Sequence, residues 1–538
     1  MDRGTNGDEY ADWYRRRPWT ARYPANVPAD LDFVPGTTAV DLLDAACARW
    51  GEQPAYDLFD FELRFDAWRA RAEALARWIV AQPECPAGGR VLLFLPNLGA
   101  FPIALYGAWI AGLVPVPLHT ASVAHELRDP IADADPCLAI VHAALLPELR
   151  SALGGRALRT LVVGSTPALH DHELDFDAAE RPASGTTPRR AAPGDLALLQ
   201  YTGGTTGVSK AVMSTHANLV AQVGMLRAIF ADRIVDGSDR VLAAHPFFHS
   251  LGLAMNLLTY AVAGGTNVLM PKPRDFREMV ASLERRPVQA IVGGPALYIG
   301  LLAEPGFAAL DFSTLRACFV GGMPLRPDVL DRWAAITGVP LTEGYGLTEV
   351  AGASIVQFAD ERRRASVGLP CPGMELTIRD AHGRAVRPGE PGEIWMRGPC
   401  LMPAYYGRPD ETARAMTPDG WFRTGDLGRV DADGYVFLLD RIKDILIISN
   451  SNVYPTEIEA VVGAHPGVAD VAAVGMPDAN VGEAVKVVVV RRDPALTAAD
   501  IEHWCTERLA DFKRPRLVEF RDTLPRSAVG KVLRRALR

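Results

Sequence analysis

Lysine is scarce in this chain of 538 residues, because only six of its 56 basic side chains are lysine and the rest are arginine. Arginine therefore supplies most of the general surface charge. A lysine is expected where a compact, flexible ammonium is needed instead of a planar guanidinium. The six lysines are Lys210, Lys272, Lys443, Lys486, Lys513 and Lys531.

Cysteine is also sparse, and no pair has the C-x-x-C spacing. Seven scattered cysteines argue against a disulfide framework or a zinc motif and are typical of a reducing cytosol. The first 19 residues are charged and polar, unlike a signal peptide. The most apolar region, residues 91–119, is interrupted by four prolines, so we expect strand, helix and strand there and no transmembrane segment. The sequence thus predicts a cytoplasmic protein.

A large basic excess is absent as well, because the formal net charge is −8. This balance argues against nucleic acid as the main partner. Basic side chains are concentrated at the C-terminus, where residues 513–538 contain nine Lys or Arg and two acidic residues. We interpret that stretch either as a solvated face or as a surface that meets an anionic ligand.

The hydrophobic pattern predicts an α/β protein with a large core, since 49% of the residues are hydrophobic and 22% are charged. Short apolar runs alternate with helical spacing, which predicts a parallel sheet covered on both faces. The runs lie at residues 90–95, 114–117, 138–142 and 160–163. The alternation resumes after residue 210 and predicts a second subdomain of the same kind.

The pattern changes twice toward the C-terminus. From residue 368, glycine, proline and alternating apolar residues predict a small, mostly antiparallel β subdomain, and from residue 444 a mixed pattern predicts an α+β domain. The expected fold is a large N-terminal domain, residues 1–442, with two doubly wound α/β subdomains and the β subdomain, followed by a small mobile C-terminal domain, residues 443–538. Residues 1–35 are expected to be irregular, and residues 180–194 a surface linker.

One stretch organises the functional interpretation, namely residues 201–210 with the sequence YTGGTTGVSK. Its glycines and threonines favour a loop whose backbone N–H groups and hydroxyls face an anion, and Lys210 adds a positive charge. We interpret it as a cradle for a polyphosphate, with a plain turn as the alternative. It is not a Walker A loop, since Val208 and Ser209 stand where that motif needs Gly-Lys.

Further motifs follow this loop in a fixed order. They are HANL at 216–219, PFFH at 246–249, GGMP at 321–324, GYGLTE at 344–349, WFRTGD at 421–426, DRIKD at 440–444, NVYPTEIE at 452–459 and the terminal Gly530-Lys531. Together they resemble the adenylate-forming acyl-CoA synthetase/luciferase superfamily, from about residue 22 to residue 538. Within that superfamily, the chain looks most similar to bacterial long-chain fatty-acid–CoA ligases.

The resemblance implies a reaction in two steps. A carboxylate attacks the α-phosphorus of ATP to give acyl-AMP and pyrophosphate, and the acyl group then passes to the thiol of CoA. Because like-charged oxygens must approach one another in the first step, cations and aimed donors are needed. The expected ligands are ATP, Mg²⁺, CoA and an apolar carboxylic acid, either fatty or bulky.

The resemblance also implies roles for individual residues. Glu349 matches the Mg²⁺ ligand, in keeping with the usual binding of Mg²⁺ by one carboxylate plus substrate phosphates. Asp426 and Arg441 match the partners of the ribose hydroxyls. The implied phosphate site consists of Thr202, Gly203, Gly204, Thr205, Thr206, Gly207, Lys210 and Thr348, with Thr206, Lys210 and Glu349 expected to be catalytic. The implied adenine slot consists of Gly322, Met323, Pro324, Gly344, Tyr345 and Gly346.

The acyl site is less well defined by the sequence. Small residues such as Gly294 and Gly321 indicate room for a long or bulky acid. His249 is interpreted either as a gate of the acyl pocket or as a buried, hydrogen-bonded core histidine.

Two lysines of the C-terminal region match lysines that the family uses in its change of conformation. Lys531 matches the lysine that bridges the incoming carboxylate and the α-phosphate, and Lys443 matches the hinge for rotation between the two steps. The chain departs from the family in the loop that would line the CoA channel, where Asn450 replaces the usual glycine and adds a side chain. This leaves open an enzyme that stops at acyl-AMP and passes it to a separate thioesterifying enzyme or carrier protein.

Other interpretations remain for these residues. Lys531 could be a solvated tail lysine, and Glu349 a carboxylate that complements a helix N-terminus. A P-loop NTPase or a kinase is disfavoured by the non-Walker spacing and by the absence of H-R-D and D-F-G motifs. A catalytically silent homologue is disfavoured because Lys210, Glu349, Asp426 and Lys531 are all retained.

Overall fold

The structure is a computed structural model, and it describes most of the chain. The described residues are 6–32, 34, 36–59, 61–165, 169–179, 190–202, 209–323, 325–358, 362–448, 451–478, 482–526 and 532–538. Within these ranges, no helix has the length and hydropathy needed to cross a bilayer.

The described residues form fourteen α-helices and twenty-five strands. The helices are α1 Asn6–Arg15, α2 Ala39–Trp50, α3 Phe65–Val80, α4 Ala100–Ile110, α5 Ala124–Ala134, α6 Leu146–Leu153, α7 Phe176–Ala179, α8 His216–Ile229, α9 Phe276–Arg285, α10 Pro295–Ala303, α11 Pro327–Thr337, α12 Pro409–Ala415, α13 Pro455–Gly463 and α14 Ala498–Thr506. A π-helix covers Gly252–Tyr260, and short 3-10 turns cover Pro18–Arg22, Ala143–Leu145, Phe307–Ala309, Thr348–Val350, Ile442–Asp444, Asp511–Lys513 and Arg534–Ala536.

The strands are β1 Pro54–Leu58, β2 Phe61–Arg64, β3 Arg90–Phe94, β4 Val114–Pro117, β5 Leu138–His142, β6 Thr160–Val163, β7 Glu173–Asp175, β8 Leu196–Thr202, β9 Lys210–Thr215, β10 Arg240–Ala243, β11 Thr266–Leu269, β12 Ala290–Gly293, β13 Ala317–Gly321, β14 Leu341–Leu347, β15 Gly352–Val356, β16 Leu369–Pro370, β17 Glu375–Arg379, β18 Gly392–Arg397, β19 Phe422–Val430, β20 Val436–Arg441, β21 Leu446–Ile448, β22 Ser451–Val453, β23 Val468–Asp478, β24 Gly482–Arg491 and β25 Leu517–Phe520.

Two largely parallel sheets form the α/β part, so the predicted fold class is confirmed. The first has the order β4-β3-β5-β6-β7 and is parallel throughout. The second has nine strands in the order β16-β15-β14-β13-β12-β10-β11-β1-β2, with antiparallel strands only at its edges. The strands are continuous apolar runs because helices cover them on both faces.

The N-terminal segment is more ordered than the sequence indicated, so the expectation of irregular structure over residues 1–35 is wrong for its described part. Helix α1 packs on β17, and the Tyr14 hydroxyl donates to the carbonyl oxygen of Val386 at 3.2 Å. Trp19 is fully buried, and a Cβ on Gly434 would lie 2.4 Å from the Cβ of Trp19. Tyr14 and Trp19 of this segment are therefore core residues.

The apolar run after residue 250 folds as a π-helix over Gly252–Tyr260, where the spacing predicted an ordinary helix. Thr259 Oγ1 donates to the carbonyl oxygen of Ala254 at 2.7 Å, which occupies a backbone acceptor inside the helix. A Cβ on Gly252 would lie 2.2 Å from the carbonyl oxygen of Pro246, so only glycine allows this close approach.

Two smaller sheets complete the fold. Strands β17, β18, β19 and β20 form an antiparallel sheet in chain order, which confirms the predicted β subdomain. Residues 446–520 contain a separate sheet, β22-β21-β24-β23, with β25 parallel to β24. Its helices and strands agree with the α+β pattern predicted from residue 444, whereas the short hairpin β21–β22 was not predicted.

Candidate active site

The Gly/Thr loop joins two strands of a hairpin. Strands β8 and β9 pair antiparallel, and their last pair is Thr202 opposite Lys210. Ser209 Oγ donates to the carbonyl oxygen of Thr202 at 3.0 Å and closes the base of the loop. The predicted phosphate-binding residues Gly203, Gly204, Thr205, Thr206 and Gly207 lie outside the described residues, so their role stays a prediction.

Lys210 presents its ammonium to one side of this loop base. Its Nζ lies 5.1 Å from the ring centroid of Tyr405, a cation–π distance. Within the described ranges, no carboxylate lies within 4.0 Å of Lys210 Nζ. The charge is therefore available to an anionic ligand.

Glu349 lies in the 3-10 turn Thr348–Val350, directly after β14. Its Oε1 accepts a hydrogen bond from the Tyr405 hydroxyl at 2.8 Å, and its carbonyl oxygen accepts from the N–H of Met402 at 2.7 Å. The turn is only three residues long, so complementing a helix dipole is a poor explanation for this carboxylate. Burial and the neighbouring Glu349 carboxylate raise the pKa of Tyr405, which therefore stays a hydrogen-bond donor.

The predicted ribose and adenine residues are brought together by strand pairing. Asp426 of β19 is directly opposite Arg441 of β20, and Arg441 Nε lies 2.9 Å from Asp426 Oδ1. The Tyr345 hydroxyl donates to Asp426 Oδ2 at 2.6 Å. Burial and the Asp426 carboxylate raise the pKa of Tyr345 well above its usual value. One carboxylate thus joins the β subdomain to β14 of the large sheet.

The backbone geometry explains why glycine stands at three positions of the implied adenine slot. A Cβ on Gly344 would lie 2.4 Å from the Phe319 ring, and a Cβ on Gly346 would lie 1.7 Å from the carbonyl oxygen of Gly352. Gly322 has φ +93° and open space beside it. Met323 lies next to it and is half-buried, and Pro324 lies outside the described residues. The geometry leaves the backbone open at Gly322, as a close ligand would require.

The predicted acyl-pocket residues lie near one another. Gly294 is the residue before α10, and a Cβ there would meet only the carbonyl oxygen of Gly321, at 3.6 Å. Gly321 in turn lies beside Leu251, whose Cδ2 would be 3.6 Å from a Cβ at that position. Leu251 donates its N–H to His249 Nδ1 at 3.3 Å. The three predicted positions are therefore linked by a short series of contacts through Leu251.

For His249, the structure bears on the second of the two interpretations given from the sequence. It is half-buried, and its Nδ1 lies 3.0 Å from His245 Nε2. Burial lowers the pKa of His245 to about 4, so that ring is neutral at pH 7. Since His249 Nδ1 accepts from Leu251, we assign the proton between the two rings to His245 Nε2. His249 is therefore a half-buried, hydrogen-bonded histidine, and its role as a gate of the acyl pocket stays a prediction.

The hinge predicted at Lys443 lies in the turn Ile442–Asp444, between β20 and β21. Burial lowers the pKa of Lys443. Asp440 Oδ2 accepts from both the N–H and the Oγ1 of Thr456, each at 3.0 Å, and so caps α13. Asn450 and Lys531 lie outside the described residues.

The described residues on either side of Lys531 pair with each other. Arg526 pairs antiparallel with Val532, and the N–H of Leu533 donates to the carbonyl oxygen of Pro525 at 2.8 Å. Arg534, three residues after Lys531, donates to both carboxylate oxygens of Glu459 at 2.8 Å. The tail is thus anchored to α13 close to the lysine.

Sequence reasoning missed Tyr405 and the part played by Asn218. We define the bridging segment as residues 399–406, which follows β18. Asn218 Nδ2 donates to the carbonyl oxygens of Pro399 and Leu401 at 2.8 and 3.0 Å. The motif HANL at 216–219 was the available signal for Asn218, but the two residues that it holds are 181 and 183 positions away in the sequence.

Glu343 was also missed, and it has an unusual pKa. It lies two residues before Tyr345 on β14, and burial raises its pKa to about 7. Because the folded-state pKa exceeds the unfolded value, Glu343 contributes stability below about pH 4.5 that is lost as the pH rises through 7. At pH 8 the fold therefore holds a partly desolvated carboxylate.

We expect Glu343→Gln to stabilise the protein at pH 8 by about 1–2 kcal/mol and to have almost no effect near pH 4.5. Urea denaturation of both proteins at pH 8, 6.5 and 5 measures the difference. Glu390→Gln, at an exposed position, serves as the control and is expected to change little at any pH. A gain that does not shrink as the pH falls would show that removal of the charge is not its cause.

Comparisons with known proteins agree with this geometry. Residues 43–406 match the family described as AMP-binding enzyme, and residues 457–531 match the family described as AMP-binding enzyme C-terminal domain. The first match alone covers more than half of the chain. The chain belongs to the AMP-binding enzyme family. Membership excludes the P-loop NTPase and kinase interpretations.

Several relatives are similar over almost the whole chain. A long-chain-fatty-acid–CoA ligase of Escherichia coli O157:H7 is 37% identical over 97% of this chain and 98% of its own length. A long-chain-fatty-acid–CoA ligase of Bacillus subtilis (strain 168) is 32% identical with the same coverage. A feruloyl-CoA synthase of Amycolatopsis sp is 33% identical over 84% of this chain and 88% of its own length.

Solved structures give the same classification. The anthranilate CoA ligase AuaEII in complex with anthranoyl-AMP has a TM-score of 0.86 and 27% identity, covering 94% of this chain and 97% of that chain. ATP-bound MatB from Rhodopseudomonas palustris has a TM-score of 0.83 and 30% identity, covering 93% of this chain and 98% of that chain.

These findings confirm the prediction of an AMP-forming acyl-CoA synthetase that uses ATP and CoA and proceeds through acyl-AMP. The alternative of an adenylation-only enzyme, based on Asn450, is not supported, because the relatives are CoA ligases. A carrier-protein partner is likewise not supported. The cytoplasmic location stays a prediction.

Proposed function

We propose that this enzyme converts a long-chain fatty acid to its CoA thioester. The proposal rests on Gly294, where a Cβ would meet only the carbonyl oxygen of Gly321 at 3.6 Å, so the backbone leaves room on that side. Relatives that are 36–37% identical to this chain are long-chain-fatty-acid–CoA ligases. Aromatic acids form the second candidate class, since a feruloyl-CoA synthase and an anthranilate CoA ligase are also similar.

In the first step, this chain's residues bring two negatively charged groups together. Lys210, Thr202, Thr205, Thr206 and Thr348 hold the β- and γ-phosphates, together with the backbone N–H groups of the glycines 203, 204 and 207. Lys210 suits this role because no described carboxylate neutralises it. Fixed donors and cations aimed at phosphate oxygens are the largest contribution to phosphoryl and nucleotidyl chemistry.

The residues present also fit a Mg²⁺ ion. Among the described residues, Tyr405 is the only hydrogen-bond partner of the Glu349 carboxylate, so Oε2 is left for a ligand. One carboxylate plus substrate phosphates is the usual way in which proteins hold Mg²⁺. Bound there, the ion would neutralise phosphate charge, while Glu349 fixes its position.

The nucleoside is held by the pairing between β19 and β20. Asp426 and Arg441 bind the ribose hydroxyls, and their own ion pair at 2.9 Å keeps both side chains in place for that contact. Tyr345 and the backbone of residues 322–324 form the adenine slot. Gly344 and Gly346 keep that slot open, because a side chain at either position would collide with neighbouring atoms.

The two steps use different parts of the C-terminal domain. Lys531 bridges the carboxylate and the α-phosphate in the first step, where a flexible point charge suits moving charge. Rotation about Lys443 then replaces Lys531 by the loop that contains Asn450. CoA attacks acyl-AMP through the channel that this loop lines, and AMP leaves.

A panel of acids tests the substrate class. We expect acyl-CoA formation, followed by mass spectrometry, to be at least 10-fold more efficient with hexadecanoate than with ferulate, anthranilate or benzoate. Gly294→Phe is expected to reduce the kcat/KM for hexadecanoate by about 10-fold or more and to spare a short acid such as hexanoate, because its side chain would occupy the space toward Gly321.

Ile299→Phe is the matched control, since it puts the same side chain at an exposed position of α10, the helix that follows Gly294. An equal loss with short and long acids in Gly294→Phe would contradict the assignment of the pocket. Preference for ferulate or another aromatic acid in the wild-type enzyme would contradict the fatty-acid assignment and favour the second class.

A further inference from the structure

We propose that Tyr405 is a positioning residue that keeps Lys210 and Glu349 apart and aimed at the same polyphosphate. The inference rests on the proposed function, because it assigns Tyr405 to the ATP and Mg²⁺ site described there. It starts from the arrangement in which one buried tyrosine contacts both charged residues.

Three sets of hydrogen bonds hold the backbone of the bridging segment. Asn218 holds its beginning through the carbonyl oxygens of residues 399 and 401. Its end runs antiparallel to β9, since Met213 donates its N–H to Ala404 O at 3.2 Å and Tyr406 donates its N–H to Ala211 O at 2.9 Å. Tyr405 N–H donates to Thr412 Oγ1 at 3.0 Å. The position of the Tyr405 ring is therefore set by backbone contacts and needs no ligand.

The two ends of the Tyr405 side chain have different partners. The hydroxyl donates to Glu349 Oε1 at 2.8 Å and orients that carboxylate. The face of the ring lies 5.1 Å from Lys210 Nζ. The bridging segment holds the backbone of Glu349 as well, through the N–H of Met402 at 2.7 Å.

Without the Tyr405 side chain, which contacts both groups, the ammonium and the carboxylate would be free to form an ion pair. Such a pair would neutralise both groups and compete with the phosphates for Lys210 and with Mg²⁺ for Glu349. An aromatic ring is a suitable spacer, because its face attracts the cation while its hydroxyl satisfies the carboxylate. Tyr405 thus keeps two opposite charges close but unpaired.

The test is ATP binding by isothermal titration calorimetry, with Mg²⁺ and with EDTA, which needs no turnover. We expect Tyr405→Phe, which keeps the ring and removes the hydroxyl, to weaken binding of ATP about 10-fold in Mg²⁺ and to leave binding in EDTA unchanged. Tyr405→Leu removes the spacer and is expected to weaken binding under both conditions. Tyr406→Phe is the matched control, since it makes the same change on the neighbouring residue, which packs on a different core cluster.

The outcomes separate this inference from the proposed function. Unchanged Mg²⁺-dependent binding in Tyr405→Phe, or an equal loss in Mg²⁺ and EDTA, would overturn the role of Tyr405 while leaving the function intact. If the wild-type enzyme binds ATP equally in Mg²⁺ and EDTA, the proposed metal site itself is wrong, and this inference fails with it. Thermal denaturation of each variant identifies losses caused by misfolding.

Discussion

Lys531→Ala is expected to lower the rate of pyrophosphate release from ATP and a fatty acid by about 10³-fold or more, because the variant lacks the cation that is assigned to bridge the carboxylate and the α-phosphate. The same variant should convert supplied acyl-AMP and CoA to acyl-CoA at a rate close to that of the wild-type enzyme. Separate assays of the two half-reactions, by pyrophosphate detection and by mass spectrometry of the thioester, measure this split.

Arg535→Ala provides the control for loss of a positive charge in the same tail. Arg535 is exposed and lies four residues after Lys531, so we expect both half-reactions to be retained. The pairing of Arg526 with Val532 does not depend on the lysine side chain, so the tail should keep its anchor in both variants. Loss of both half-reactions in Lys531→Ala, or of neither, would contradict the two-conformation mechanism.

Glu349→Gln is expected to lower the rate of acyl-AMP formation by about 10²-fold or more and to raise the Mg²⁺ concentration needed for half of the maximal rate. Gln keeps an oxygen that accepts from Tyr405, so the change removes charge and little else. An amide is a poor ligand for a hard cation that prefers carboxylate and phosphate oxygens. Initial rates over a wide range of Mg²⁺ concentrations provide the measurement.

The thioesterification half-reaction of the same variant serves as its internal control. Supplied acyl-AMP carries no β- or γ-phosphate, so Glu349→Gln should form acyl-CoA from it at nearly the wild-type rate. A Mg²⁺ dependence identical to that of the wild-type enzyme would show that Glu349 is not the metal ligand. A loss confined to thioesterification would assign the residue to the other half of the reaction.

Much of the fold follows from local patterns in the sequence. The parallel strands β3, β5 and β6 are continuous apolar runs, which only a doubly covered sheet accommodates. The edge hairpin β1–β2 was not predicted, because its exposed and half-buried residues have no clear alternation. The π-helix Gly252–Tyr260 was not predicted, because apolar spacing does not distinguish it from an α-helix, and the close approach of Gly252 to Pro246 is visible only in the structure.

In the candidate site, the residues within short motifs were identified from the sequence, and the residues whose roles depend on distant contacts or burial were missed. The motifs that contain Lys210, Glu349, Asp426 and Arg441 are readable because each is a short, unusual string. Tyr405 was missed because both of its partners are distant in the sequence, and its role depends on the antiparallel pairing of the bridging segment with β9. Glu343 was missed because its raised pKa depends on burial, which a single sequence does not reveal.

Asp440 caps helix α13, and this cap would give the two orientations of the proposed domain rotation unequal populations. Asp440 precedes the hinge at Lys443, whereas Thr456 follows it, so rotation about the hinge would break their two hydrogen bonds. A helix cap of this kind contributes about 1 kcal/mol, which favours one orientation about fivefold. The C-terminal domain would therefore mostly adopt the capped orientation. Its rotation between the two half-reactions would begin when these hydrogen bonds break.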